Sequence, residues 1–156
     1  MHYFLNIGSN LGNRKLNLSR AVRALEKEFG YFELSNTVES EPWGFDSTNL
    51  FLNIAVMIVT DMEPTEVLHK LQAIEKSISP ASHRTATGGY ADRMVDIDIM
   101  AIDELQIDSE ELTVPHRHLG ERRFFLEPMN ELAPGWRHPA TGETPGEMLS
   151  KLEVGS

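Results

Sequence analysis

The chain has 156 residues, 24 acidic against 14 basic, for a formal net charge of −10, and this balance argues against bulk electrostatic binding to nucleic acid. Apolar residues make up 40% and charged residues 24%, proportions that can bury one core and that exclude a disordered or collagen-like chain. The absence of cysteine removes disulfides, thiolate zinc sites and cysteine nucleophiles, and no stretch reads as a membrane span or signal peptide, so a cytoplasmic chain without a membrane partner is expected.

His2 to Ile7 alternates with Tyr3, Leu5 and Ile7 on one face, which predicts a strand. Gly8 to Asn13 reads as a tight strand-to-helix turn, with Asn13 placed to cap the helix after it. Leu18, Ala21, Val22, Leu25 and Phe29 form a helical stripe that Gly30 ends. Tyr31 to Glu39 is expected as a second strand, Pro42, Gly44, Asp46 and Ser47 mark a loop of about ten residues, and Phe51 to Thr60 is expected as a long apolar strand. Pro64 opens a helix with Val67, Leu68, Leu71, Ile74 and Ile78 spaced for burial.

Pro80 to Arg93 is polar, contains glycines and has no period; loops of that length in a domain tend to be functional lids. Met94 to Ile102 is strand again, Leu105 to Val114 a small hairpin closed by Pro115, and Arg122 to Asn130 a short helix. The remainder, with Pro134, Pro139 and Pro145, reads as turns. With no repeat or linker, residues 1–156 are expected to form one domain. The order strand, helix, strand, strand, helix, strand fits an α+β, ferredoxin-like βαββαβ sandwich with an antiparallel sheet, an extra hairpin and a C-terminal elaboration.

Two neighbouring stretches carry the chemistry. In a strand, Asp96 and Asp98 point to one face while Val95, Ile97 and Ile99 point to the other, with the carboxylates about 7 Å apart along the strand. Such a pair suits a hard cation such as magnesium, which keeps waters and binds substrate phosphates as well; the bland alternative is a strand face of acids in water. Arg93 just before the pair strengthens the phosphate reading. Asp96 to Glu111 holds seven acids and no Lys or Arg, whereas His116 to Arg123 holds His116, Arg117, His118, Arg122 and Arg123 against one acid. An acidic block beside a basic one suggests metal plus phosphate, or else an ordinary patchy surface. Of Arg122 and Arg123, at least one reads as a surface solubiliser. No third ligand supports a zinc site at His116-Arg117-His118.

Other motifs are set aside. Gly8 to Gly12 has three residues between its glycines where a Walker loop has four, and no Lys-Ser/Thr comes after them. No Gly-x-Ser-x-Gly elbow is present. Phe51 and Asn53 on one strand face, with Phe124 beside the basic cluster, could sandwich a flat heterocycle or simply belong to the core.

Together, Leu5-Asn6-Ile7-Gly8-Ser9-Asn10-Leu11-Gly12, Phe51-Leu52-Asn53, Arg93-x-x-Asp96-Ile97-Asp98-Ile99 and Leu112-Thr113-Val114-Pro115-His116 resemble the 6-hydroxymethyl-7,8-dihydropterin pyrophosphokinase family of folate biosynthesis. The resemblance runs to about Pro134. It implies transfer of the β,γ-pyrophosphoryl group of ATP to the pterin hydroxymethyl oxygen, with release of AMP. It also implies two magnesium ions on Asp96 and Asp98, phosphate contacts from Arg93, His116 and Arg122 with Arg84 a looser loop candidate (Arg93 and Arg84 grouped with the aspartates as catalytic), and an ATP-binding place for Arg117, which stands where tyrosine is frequent. Gln72, Glu75, Ile99 and Thr113 match positions around the nucleotide. Asn53 would bond the pterin ring, Phe51, Phe124 and Tyr90 would pack on it, and Ser40 and Trp43 would line its loop, with residues 80–93 as the lid.

The chain departs from the family's usual Trp-Gly-Pro-Arg run with Tyr90-Ala91-Asp92-Arg93, has Gly89 where a basic residue is common, and has Glu111 where some members carry arginine. A different magnesium-dependent phosphotransferase or phosphohydrolase, or a non-catalytic pterin- or nucleotide-binding relative, remains the alternative. Partners are expected to be ATP and the pterin, and the chain a monomer.

Overall fold

The computed structural model describes residues 1–41, 49–79 and 94–154. Alternation at Tyr3, Leu5 and Ile7 builds β1, His2–Ser9, and buries those three side chains completely. β1 is central. It pairs antiparallel with Phe51–Val59 on one side and with Asp96–Ile102 on the other. Two short strands, β2 (Phe32–Leu34) and β3 (Val38–Ser40), both pair antiparallel with Phe51–Val59, which is therefore β4; Asp96–Ile102 is β5. The order β2-β4-β1-β5 is the ferredoxin-like one.

Helix α1, Arg14–Phe29, starts where the Asn13 side chain accepts from the Leu16 N–H at 3.1 Å and ends at Gly30, whose φ of 84° few other residues adopt. Helix α2, Pro64–Ile78, places Val67, Leu71, Ile74 and Ile78 in the same core as Leu18, Ala21 and Leu25 of α1, over Leu5, Ile7, Val56, Ile58, Ile97 and Ile99. Each such fully buried aliphatic side chain contributes roughly 1.5–3 kcal/mol.

The other face of the sheet is covered by α3 (Arg123–Leu132) and α4 (Pro145–Val154), with Phe125, Leu126, Met129 and Met148 over Ala55, Met100 and Ala101. A sheet buried on both faces explains why β4 reads as a continuous apolar run. Between β5 and α3 lie a hairpin of β6 (Ile107–Asp108) and β7 (Thr113–Val114) and a 3₁₀ turn at Leu119–Glu121.

A bulge in β5 sets which way its side chains point. Phe4 pairs with Ala101 but Leu5 with Ile99, so Met100 is an extra residue. Met100 and Ala101 consequently both face α3, while Ile99 and Ile102 both face α1 and α2.

Three local expectations change. The strand expected over 31–39 is broken at Ser35, which occupies the ladder itself: its N–H bonds the Ala55 carbonyl at 3.0 Å and its Oγ accepts from the Ala55 N–H at 2.9 Å. Gly8 belongs to β1 and not to the turn, where Gly12 supplies the positive φ of 66°. The C-terminal stretch read as turns contains α4, started by a reciprocal cap: Glu147 N–H to Thr144 Oγ at 3.2 Å, Thr144 N–H to Glu147 Oε1 at 3.1 Å. Thr144-Pro145-Gly146-Glu147 carries that signature, with proline at the first helical position.

Candidate active site

Residues directly opposite one another in antiparallel strands share a face. Asn53 pairs with Gly8 and Gly8 with Asp96, making one row across three strands. The adjacent row is Ala55, Asn6 and Asp98. Ser40 pairs with Phe51, so all of these residues lie on the face that α3 covers. The expected separation of Asp96 and Asp98 from Val95, Ile97 and Ile99 is observed, with the three apolar residues in the α1/α2 core.

Asn53 is 2% exposed, and its Nδ2 donates to Ser40 Oγ at 2.8 Å and to the Val38 carbonyl at 3.4 Å. Both amide hydrogens are thereby directed toward β3, which leaves Oδ1 as the group turned to Gly8. A Cβ at Gly8 would stand 3.0 Å from that Oδ1 and 3.3 Å from the Phe51 ring. Glycine is thus required here by close approach and not by a turn.

His116 is carried from β7 to β5 by its N–H, which donates to the Met100 carbonyl at 2.9 Å, at the bulge. Its Nε2 lies 3.9 Å from Asp98 Oδ1, its Nδ1 accepts from the His118 N–H at 3.1 Å, and its ring meets Phe125 edge-on at 5.0 Å. Burial pushes the His116 imidazole down to about 3, helped by the positive charges of Arg122, His118 and Arg117; these outweigh the nearby Asp98. The ring is therefore neutral, and with Nδ1 accepting, its proton sits on Nε2, the nitrogen nearest Asp98.

Arg122, 4% exposed, sits at the start of α3 with its guanidinium carbon 4.9 Å from the Phe125 ring centre and 5.6 Å from that of Phe124. Arg123 is the surface member of the pair: it bonds Glu127 and, at 3.2 Å, Glu153. Between β3 and α3, a groove of 430 Å³ is lined by Ser40, Arg122 and Phe124 among others.

Of the nucleotide candidates, Glu75 accepts from the Ile97 N–H at 2.7 Å, on the main chain between the two aspartates. Gln72 and Arg117 are exposed and Thr113 is half-buried in β7. Ile99 is 4% exposed in the α1/α2 core, so any contact it offers a nucleotide falls to its main chain. Glu111 bonds His69 at 3.2 Å on the surface. Trp43, Arg84, Tyr90 and Arg93, the residues Pro42, Gly44, Asp46 and Ser47 that mark the expected loop, and the whole stretch expected as a lid lie outside the described residues.

Among the described residues no three His, Asp or Glu side chains gather into a cage for a metal ion. Two carboxylates on one face do fit magnesium, which is usually bound by one or two carboxylates with the remaining positions left to water and substrate phosphate.

Residues 4–134 match the family model of 7,8-dihydro-6-hydroxymethylpterin-pyrophosphokinase (HPPK). The chain belongs to the HPPK family. It is 38% identical over 138 residues to the 2-amino-4-hydroxy-6-hydroxymethyldihydropteridine pyrophosphokinase of Porphyromonas gingivalis, covering 87% of this chain and 92% of that protein. The enzyme of the same name from Methylorubrum extorquens is 35% identical over 96% of this chain and 92% of its own length. A crystal structure of Plasmodium falciparum HPPK-DHPS superposes with a TM-score of 0.72 at 14% identity, over 96% of this chain and 44% of that longer one, which supports the ferredoxin-like fold. As an HPPK the chain is a diphosphokinase of folate biosynthesis, and HPPK enzymes use ATP and a pterin substrate. None of its described helices is long and apolar enough to cross a membrane.

Proposed function

We propose that this HPPK transfers the β,γ-pyrophosphoryl group of ATP to the hydroxymethyl oxygen of 6-hydroxymethyl-7,8-dihydropterin and releases AMP, with Asp96 and Asp98 as the ligands of two magnesium ions. Magnesium, when bound, neutralises phosphate oxygens and orients the acceptor hydroxyl. The protein's own part is alignment and charge. His116 offers a phosphate oxygen an Nε2–H donor beside Asp98. Arg122 supplies a positive charge that cannot be lost near neutral pH and that two phenylalanine rings hold in place. Glu75 fixes the main chain between the aspartates from its outer edge. Asn53 presents Oδ1 as an acceptor for a ring amino group, because its own N–H groups are engaged by β3. Phe51 and Phe124 would pack against the two faces of the pterin.

The observation that carries this reading is the shared sheet face, where an amide and an aromatic ring suited to a heterocycle stand across one intervening strand, β1, from the paired carboxylates. A general phosphohydrolase would have no use for the Asn53 arrangement. The test is AMP formation from ATP and magnesium with and without 6-hydroxymethyl-7,8-dihydropterin. Pterin-dependent AMP release is expected. ATP turnover indifferent to the pterin would overturn the acceptor, and saturable pterin binding without AMP would overturn the chemistry.

A further inference from the structure

Asn6 lies in the middle of β1, 2% exposed, directly opposite Asp98. A buried amide destabilises a strand unless its polar atoms find partners. Its Nδ2 donates to the main-chain carbonyl of Phe124 at 3.0 Å, across 118 residues of sequence. That carbonyl has a specific need for an outside donor. Inside a helix it would accept from the N–H four residues on, and that residue is Pro128, which has none. The proline ring also crowds the carbonyl four residues back and tilts it off the helix axis. The defect in α3 and the amide in β1 are therefore complementary.

We infer that Asn6 is a positioning residue for the pterin site: by filling the gap that Pro128 leaves in α3, it holds the first turn of that helix, with Phe124, against β1, the strand paired with Asp98. The inference rests on the reading of Phe124 as a pterin-stacking residue. Its geometry is favourable because the bond is made at the residue whose ring faces the groove, in the first turn of the helix. An apolar side chain at position 6 would orphan the Phe124 carbonyl and let that turn drift. An alanine at position 128 would restore the internal helix bond and make Asn6 dispensable.

The experiment compares wild type, Asn6→Leu, Pro128→Ala, the double variant and Phe124→Ala. Binding of 6-hydroxymethyl-7,8-dihydropterin is measured with saturating magnesium and a non-hydrolysable ATP analogue, binding of that analogue alone separately, and Tm alongside. Asn6→Leu should weaken pterin binding about tenfold, the size of one lost buried hydrogen bond, and the analogue less than about twofold. The double variant should bind pterin within about twofold of Pro128→Ala alone, the suppression expected of two coupled positions. Equal losses for both ligands, unchanged pterin binding in Asn6→Leu, or no suppression by Pro128→Ala would overturn the inference. So would failure of both Asn6 variants to fold, which would make Asn6 a requirement of the sheet. Folding of the double variant alone, with pterin binding like that of Pro128→Ala, would support it. Absence of pterin binding in wild type, or equal loss of both ligands in Phe124→Ala, would instead sink the underlying reading of the site.

Discussion

Asp98 shares a strand face with Asp96 and stands 3.9 Å from His116 Nε2, with its side chain 27% exposed. Two carboxylates held on one face repel until a cation or a positive neighbour intervenes. Asp98→Ala should therefore lower turnover at least about a hundredfold, as when one electrostatic contact to a transition state is removed. Its Tm should stay level or rise, because like-charge repulsion goes with the ligand; a calorimetric scan beside the AMP assay checks both. Gly8 is a second single-residue test. With the added Cβ 3.0 Å from Asn53 Oδ1, Gly8→Ala must displace the amide or the Phe51 ring. Overpacking of this kind costs about 1–3 kcal/mol, and the loss should fall on pterin affinity more than on ATP affinity, measured by titration with each.

At the scale of elements, the helices come from their stripes and caps, and the exceptions have local causes. Helix α4 begins in the reciprocal Thr144–Glu147 cap and packs Met148 beneath the sheet. Thr144→Ala should cost about 1 kcal/mol, the usual value for a lost N-cap. For a chain of this size that is a fall of about 2–4 °C in Tm, with kcat unchanged because no site residue lies in α4. The break between β2 and β3 was not legible. Ser35 suits a strand as well as a bend, and only its pairing with Ala55 shows that its hydroxyl has replaced a ladder partner.

For the whole molecule, the burial of His116 ties stability to pH. The folded imidazole titrates near 3 and an unperturbed histidine at 6.5, so between those values only the unfolded chain takes up the proton. The group's contribution is complete above about pH 6.5 and is lost as pH falls toward about 3. Apo protein should therefore lose Tm through that window, and His116→Gln should flatten that part of the acid limb. Identical slopes for the two proteins would show that the ring is not held neutral.

Features that depend on near neighbours were readable from the chain alone. The strand at 2–7, the two long helices, the opposed directions of Asp96 and Ile97, and the motifs that mark the family all have periods or spacings of a few residues. Features that depend on distant partners were settled only by packing. The bulge at Met100 has no signal in Asp96–Ile102, because it exists only in register with β1. Gly8 reads as a turn glycine until Asn53 and Phe51 arrive from β4. Asn6 looks like one polar residue in an apolar strand, and its use depends on a proline in the last third of the chain, whose missing N–H is felt only once α3 lies across the sheet. Periodicity records which face a side chain takes; what waits on that face is set by packing, where hydrogen-bond satisfaction and close approach are settled between residues far apart in the chain.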